Sequence, residues 1–151
     1  MRRQIPRALR VRRWPYADGA AAAVAKLGRR IAEVGRRETT ISYSEVVRGI
    51  ELRLPNVHDG HPFELGVPDW PDLDRAILGE LLGKLSLDSL DRGDFLASAV
   101  VTSKVSGEPS EGFWDLVSEL GFFRSSSEQK RVLYWSDELR RAHAWYAAND
   151  W

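Results

Sequence analysis

The spacing of apolar residues predicts an amphipathic helix from Ala20 to about Val34. Apolar side chains recur every three or four positions, as a helical stripe requires, at Val24, Leu27, Ile31 and Val34. At about 100° per residue, the opposite face holds a basic set, made up of Lys26, Arg29, Arg30, Arg36 and Arg37. We therefore expect a helix with one apolar and one basic face.

Two Ser/Glu pairs indicate further helix starts. Ser42 with Glu45, and Ser125 with Glu128, have the spacing of a capping box. They predict one helix over 43–52 and a long terminal helix from 125 to about 148. The terminal helix carries a heptad-like apolar seam, formed by Val132, Trp135, Leu139, Ala142 and Tyr146. This seam needs a covering surface, which either the chain's own core or a second copy would supply, so an oligomer through this helix stays open.

The remaining pattern predicts an α+β domain. Asp72 precedes a broad leucine-rich face typical of a buried helix, and 113–120 reads as a short helix. Short strands are predicted at 39–41 and 95–103, followed by a turn or wing over 104–112. The expected architecture is a mostly helical domain over 20–151 with a short sheet and a long C-terminal helix.

Residues 1–19 lack any periodicity and contain Pro6 and Pro15. We interpret them as a basic N-terminal arm that gains order only through a partner or through the body of the domain. Trp14 lies beside Arg12, Arg13 and Tyr16. This mixture suits stacking on nucleic-acid bases, and it equally suits an anchor that fastens the arm to the core.

A long loop is predicted between Pro55 and Pro71, with four prolines. Loops of this length are uncommon unless they are functional or are packed by their own side chains. Phe63, Leu65, Val67 and Trp70 are available for such packing.

Basic and acidic residues are distributed unevenly along the chain. The 151 residues hold 22 basic and 22 acidic side chains, yet residues 1–37 alone carry a net charge of +9 and the remainder −9. Eighteen of the 22 basic residues are arginine, which favours bidentate contacts to phosphate or carboxylate. This asymmetry indicates either a polyanionic partner or an arm that docks on an acidic protein surface.

Several classes of function are excluded or disfavoured. The absence of cysteine excludes a thiol nucleophile, a disulfide framework and a thiolate metal site. No apolar run is long enough to span a bilayer, so we expect a soluble cytoplasmic protein without a membrane partner. No glycine-rich phosphate loop and no Gly-x-Ser-x-Gly elbow occurs, so we expect a protein that is not an enzyme.

His58, Asp59 and His61 form the one cluster in the sequence that suggests metal ligation. Three such residues within four positions are a permissive pattern, and His143 is the only other histidine. We predict no metal and no cofactor, while the sequence alone leaves open whether these three bind one.

Segments 41–47 (Ile-Ser-Tyr-Ser-Glu-Val-Val) and 75–79 (Arg-Ala-Ile-Leu-Gly) resemble the winged-helix core of alkyltransferase-like DNA-binding proteins. The resemblance implies a winged-helix-like domain over 20–151. Segments 99–101 and 107–113 are similar to a strand and a Gly-x-Pro-Gly-x-Gly-Phe turn of small uncharacterised bacterial proteins. The alkyl acceptor motif Pro-Cys-His-Arg is missing, which excludes alkyl transfer. The resemblance implies that Tyr43 contacts a phosphate and that Arg75 reads or intercalates into a groove.

The sequence therefore predicts non-catalytic nucleic-acid binding, mainly through phosphate contacts by the arm and the first basic helix face. The predicted contacts are Arg2, Arg3, Arg7, Arg10, Arg12, Arg13, Arg29, Arg30, Arg36, Arg37, Tyr43 and Arg75. The alternative is a protein-interaction subunit or adaptor of a larger bacterial assembly, whose arm binds an acidic protein surface.

Overall fold

The computed structural model describes residues 2–66 and 69–151, and it confirms a mostly helical α+β architecture with a long C-terminal helix. The described helices are α1 (Arg7–Arg10), α2 (Pro15–Gly19), α3 (Ala21–Arg36), α4 (Tyr43–Val47), α5 (Asp72–Gly93), α6 (Glu111–Glu119) and α7 (Glu128–Ala148). The described strands are β1 (Ile41–Ser42), β2 (Glu51–Leu52), β3 (Phe63–Glu64) and β4 (Val101–Thr102).

The strands form two small sheets of two strands each within the described residues. β1 and β4 are parallel, with Ile41 opposite Val101, whereas β2 and β3 are antiparallel. The strand predicted over 95–103 is mostly wrong, because 97–100 form a 3-10 turn that leads into β4. Ser89 Oγ donates to Phe95 O and accepts from Ala97 N, so a side chain satisfies backbone groups that a strand would have paired.

The predicted serine cap at Ser42 is confirmed, whereas the cap of the terminal helix lies two residues later than predicted. Ser42 Oγ accepts a hydrogen bond from Glu45 N at 3.2 Å at the start of α4. α7 is capped by Ser127, whose Oγ accepts from Lys130 N, and not by Ser125. α4 ends at Val47, well before the predicted 52, since Gly49 turns the chain with a φ of +74° and β2 follows.

The core is centred on α3, α5 and α7. Leu27 and Ile31 of α3 and Ala142 and Tyr146 of α7 are buried, as the predicted stripes require. The seam of α7 is not buried along its whole length, because Val132 near its start is 38 % exposed. An aromatic cluster closes the C-terminal end of the core, formed by Phe95, Trp145, Tyr146 and Trp151.

The basic arm is packed on the body of the domain. Its apolar side chains are buried in the common core, namely Ile5, Leu9, Trp14 and Ala17. Pro15 occupies the first turn of α2. A backbone N–H at this position has no partner within the helix, so proline costs no hydrogen bond there. The arm is thus ordered by the domain itself.

The long loop is packed by its own side chains. Leu65 is buried, and Phe63 and Trp70 are partly buried against the core, while Val67 lies outside the described residues. The buried carboxylate of Asp74 on α5 accepts from Gly66 N at 2.9 Å and ties the loop to that helix. In residues 2–66 and 69–151, no helix combines the length and apolar character that crossing a membrane requires.

Candidate functional site: a cleft between α5 and α6

The arginines of the arm mostly contact the acidic body of the protein. Arg3 Nε donates to Asp94 Oδ1 at 2.8 Å, and its guanidinium also pairs with Glu138, which is 2 % exposed. Burial opposes the charge of Arg3, but hydrogen bonds to Glu138 and Asp94 outweigh that cost and raise its pKa. Arg3 is therefore a structural cation, and it must leave a buried carboxylate before it can bind a phosphate.

The other arm arginines divide into paired and unpaired groups. Arg10 forms a bidentate pair with Asp91, at 2.8 and 2.9 Å, and its hydrogen bonds lower the pKa of that carboxyl. Arg12 pairs with Glu119, and Arg2 donates to the carbonyl oxygen of Asp91. Within the described residues, the exposed side chains of Arg7 and Arg13 have no ion-pair partner.

The basic face of α3 also serves the fold. Arg30 Nη1 donates to Val46 O at 2.9 Å and to Arg48 O at 2.7 Å, so it satisfies carbonyl groups left free at the end of α4. Arg36 contacts Asp150 and backbone carbonyls at the end of α7, and Arg37 lies 3.9 Å from Glu33. Arg29 is exposed and, in the part of the chain that the structure describes, forms no ion pair.

Three of the predicted contact residues line one cleft of about 930 Å³: Arg12, Tyr43 and Arg75. α5 and α6 supply most of the residues that line it, and the arm, the start of α4 and the turn after β4 supply most of the others. The volume lies within the range of pockets that hold small ligands or single units of a polymer.

The floor of the cleft is apolar and partly aromatic. It comprises Trp14, Leu78, Leu82, Phe113 and Leu116. The Trp14 ring is buried against Gly83, where a Cβ atom would lie 3.1 Å from it, and Arg12 stands 5.4 Å from the ring centroid. Trp14 thus fastens the arm to the core and contributes to the floor of the cleft.

Gly79 leaves open space in the wall formed by α5. A Cβ atom at this position would meet no heavy atom within 4 Å among the described residues. Arg75, Gly79 and Gly83 are spaced by four residues, so they follow one face of α5 for about 12 Å.

One end of the cleft is cationic and rich in hydroxyl groups. Arg75 and Lys104 lie there and have no ion-pair partner among the described residues. The Tyr43 hydroxyl accepts from Ser110 N at 2.9 Å, which leaves its own O–H free to donate. Trp70 Nε1 donates to Ser44 Oγ at 3.1 Å and fixes the indole at this end.

The wall formed by α6 is acidic. Glu111, Asp115 and Glu119 are spaced by four residues on one face of the helix. Two of these carboxylates are neutralised, because Glu111 binds Arg131 at 2.9 Å and Glu119 binds Arg12. Asp115 also lines the cleft, and no cation of the described chain lies within ion-pair distance of it. The cleft therefore offers Arg75 and Lys104 to an anion and Asp115 to hydrogen-bond donors.

Sequence reasoning did not connect four of the cleft residues with Tyr43 and Arg75: Trp14, Trp70, Gly79 and Lys104. The spacing of Arg75 and Gly79 on one helix face was a usable signal, and so was the unusual length of the loop that carries Trp70. His58, by contrast, packs its ring 4.8 Å from that of Phe63. Among residues 2–66 and 69–151, no group of three His, Cys, Asp or Glu side chains is placed to hold a metal ion.

Comparisons of this chain with protein-family models, with curated proteins and with solved structures found no match.

Proposed function

We propose that this protein binds nucleic acid without catalysis and that the cleft makes the principal contact. The observation that carries the proposal is the convergence of Arg12, Tyr43 and Arg75 from three distant segments on one cleft with an aromatic floor. Arg75 and Lys104 supply charge for phosphates, and Trp70, which lines the cleft and is only partly buried, supplies an aromatic surface for base contact.

The arm has a smaller role in this proposal than its charge indicates. Arg3 and Arg10 are held by carboxylates, so phosphate binding by them would cost existing ion pairs. A winged-helix-like arrangement remains part of the proposal, supported by the turn after β4, which lies beside the start of α4 through the Tyr43–Ser110 hydrogen bond.

The test compares two variants that lose the same charge. Arg75→Gln with Lys104→Gln removes two cations from the cleft, whereas Lys26→Gln with Arg29→Gln removes two exposed cations from α3. Fluorescence anisotropy with labelled single-stranded and duplex oligonucleotides is recorded over a range of salt concentrations. We expect only the cleft variant to bind weakly, with a salt slope shallower by about two, because each lost phosphate contact removes about 0.9. The proposal is contradicted if both variants lose nucleic-acid affinity equally. It is also contradicted if the cleft variant loses no affinity.

A second pair of variants tests the cleft without changing charge. Gly79→Leu places a side chain in the open space of the cleft, and Gly79→Ala places only a methyl group there. We expect Gly79→Leu to weaken nucleic-acid binding and Gly79→Ala to bind as the wild type does. Wild-type affinity in Gly79→Leu would exclude the cleft as the contact site.

The alternative is a protein-interaction subunit, and one observation favours it. Val132 and Leu133, near the start of α7, are 38 % and 62 % exposed and lie where the seam is uncovered. Light scattering on nuclease-treated protein separates the two proposals. An assembly that Leu133→Ser dissociates supports the interaction subunit, and a monomer that retains nucleic-acid binding supports the first proposal.

A further inference from the structure

The turn after β4 presents an apolar side chain at its tip. Val105 is 98 % exposed, the most exposed of the large hydrophobic residues in the described chain. Its neighbours along the chain are polar or glycine, from Ser103 to Gly107. A single exposed apolar residue is common on protein surfaces, and its significance depends on how it is held and what lies beside it.

The turn is closed by several hydrogen bonds. Ser103 N donates to Glu108 O and Gly107 N donates to Ser103 O, both at 2.8 Å. Gly107 adopts a φ of +74°, which an L side chain would strain. Two serine side chains add further bonds, because Ser103 Oγ accepts from Val105 N and Ser106 Oγ accepts from Glu108 N. A fixed tip loses little conformational entropy when a partner binds it.

The tip also stands at the cationic end of the cleft. Lys104 and Val105 both line the cleft, together with Arg75 and Tyr43. The far end of the turn is anchored, since Pro109 is buried and Ser110 N donates to the Tyr43 hydroxyl. The position of Val105 relative to the phosphate-binding groups is therefore set by the fold.

We propose that Val105 is a wedge that packs against the bases of nucleic acid bound at the cleft, while Lys104 binds the adjacent phosphate. This inference rests on the proposed function and adds a specific contact to it. Apolar side chains beside basic ones are the means by which proteins insert between base steps and unstack them. The apolar tip gives a contact that salt does not screen, in contrast to the phosphate contacts.

The experiment uses Val105→Ser, with Leu73→Ser as the matched control at an exposed leucine that does not line the cleft. Both changes preserve charge. Affinity is measured by anisotropy, and unstacking is measured by the fluorescence of 2-aminopurine placed within the oligonucleotide. We expect Val105→Ser to bind about tenfold more weakly, to lose the 2-aminopurine signal and to keep the wild-type salt slope, because no phosphate contact is lost. Leu73→Ser should behave as the wild type.

The outcomes separate the wedge from the proposed function. If the wild type binds and Val105→Ser matches it in affinity and fluorescence, the wedge is wrong and the proposed function stands. If the wild type binds no oligonucleotide, both are wrong. If the wild type forms a dimer that Val105→Ser dissociates, the turn is a protein contact and the wedge is overturned.

Discussion

At the scale of single residues, replacing glycine by alanine should change stability in opposite directions in α3 and α5. Gly35 on α3 leaves room for the ring of Tyr146, which is fully buried, and an added Cβ would overlap that ring. Gly79 on α5 faces open space. We expect Gly35→Ala to lower the free energy of unfolding by about 2 kcal/mol through overpacking. Gly79→Ala should raise it by about 1 kcal/mol through helix propensity. Urea denaturation followed by circular dichroism measures both, and a shift of the same sign in the two variants would refute the packing argument.

A second prediction at this scale concerns Arg3. Its removal leaves Glu138 buried without a partner, so Arg3→Gln should lower the free energy of unfolding by about 3 kcal/mol. Arg7→Gln removes an exposed arginine from the same arm and should change stability by less than about 0.5 kcal/mol. Adding Glu138→Gln to Arg3→Gln should recover part of the loss, because no buried charge then remains. Calorimetric melting of the four proteins checks this, and equal losses in the two arginine variants would contradict it.

At the scale of elements, α7 has two distinct halves. Its C-terminal half packs Ala142 and Tyr146 into the core against α3, whereas Leu133 near its start is exposed. Leu139→Asp, in the partly buried middle of the seam, should lower stability by about 2 kcal/mol or more, because a carboxylate replaces apolar contact with the core. Leu133→Asp should change stability little, because Leu133 is exposed. Unfolding curves provide the measurement, and wild-type stability in Leu139→Asp would mean that the chain's own core does not need the seam.

At the scale of the whole molecule, folding brings the basic arm onto the acidic remainder of the chain. Arg10 on Asp91 is one such contact, and its hydrogen bonds hold the pKa of the Asp91 carboxyl below the ordinary 3.8. A carboxyl whose pKa is lowered by folding stabilises the protein above its unfolded pKa, and this contribution is lost as pH falls through the folded pKa. We expect Asp91→Asn to be less stable than the wild type at neutral pH.

The same reasoning predicts that this difference shrinks in acid. Once the pH lies below the folded pKa of Asp91, the wild-type carboxyl is neutral and resembles the amide of the variant. Urea midpoints of both proteins, measured from neutral pH into the range below 3.8, provide the comparison. A difference that stays constant across this range would show that Asp91 acts other than through its charge.

Some helices and one helix cap could be predicted from local sequence. The apolar stripe of α3, the leucine face of α5 and the serine cap of α4 depend on residues within a few positions of one another, and the structure contains all three. The strand predicted over 95–103 failed because its backbone is satisfied by Ser86 and Ser89, which lie on α5 and are not local to it. Tyr43 and Arg75 were selected from sequence, but nothing local indicated that they share a cleft with Arg12.

The sequence by itself determined the helical periodicities, the α+β class and the division of charge between the first 37 residues and the rest. These features follow from short-range geometry and from counting. Only the tertiary structure decided where the arm lies, which arginines are neutralised and which side chains meet at the cleft. Ion pairing requires approach within a few ångströms, and residues such as Arg3 and Glu138 reach that distance only after the intervening chain has folded.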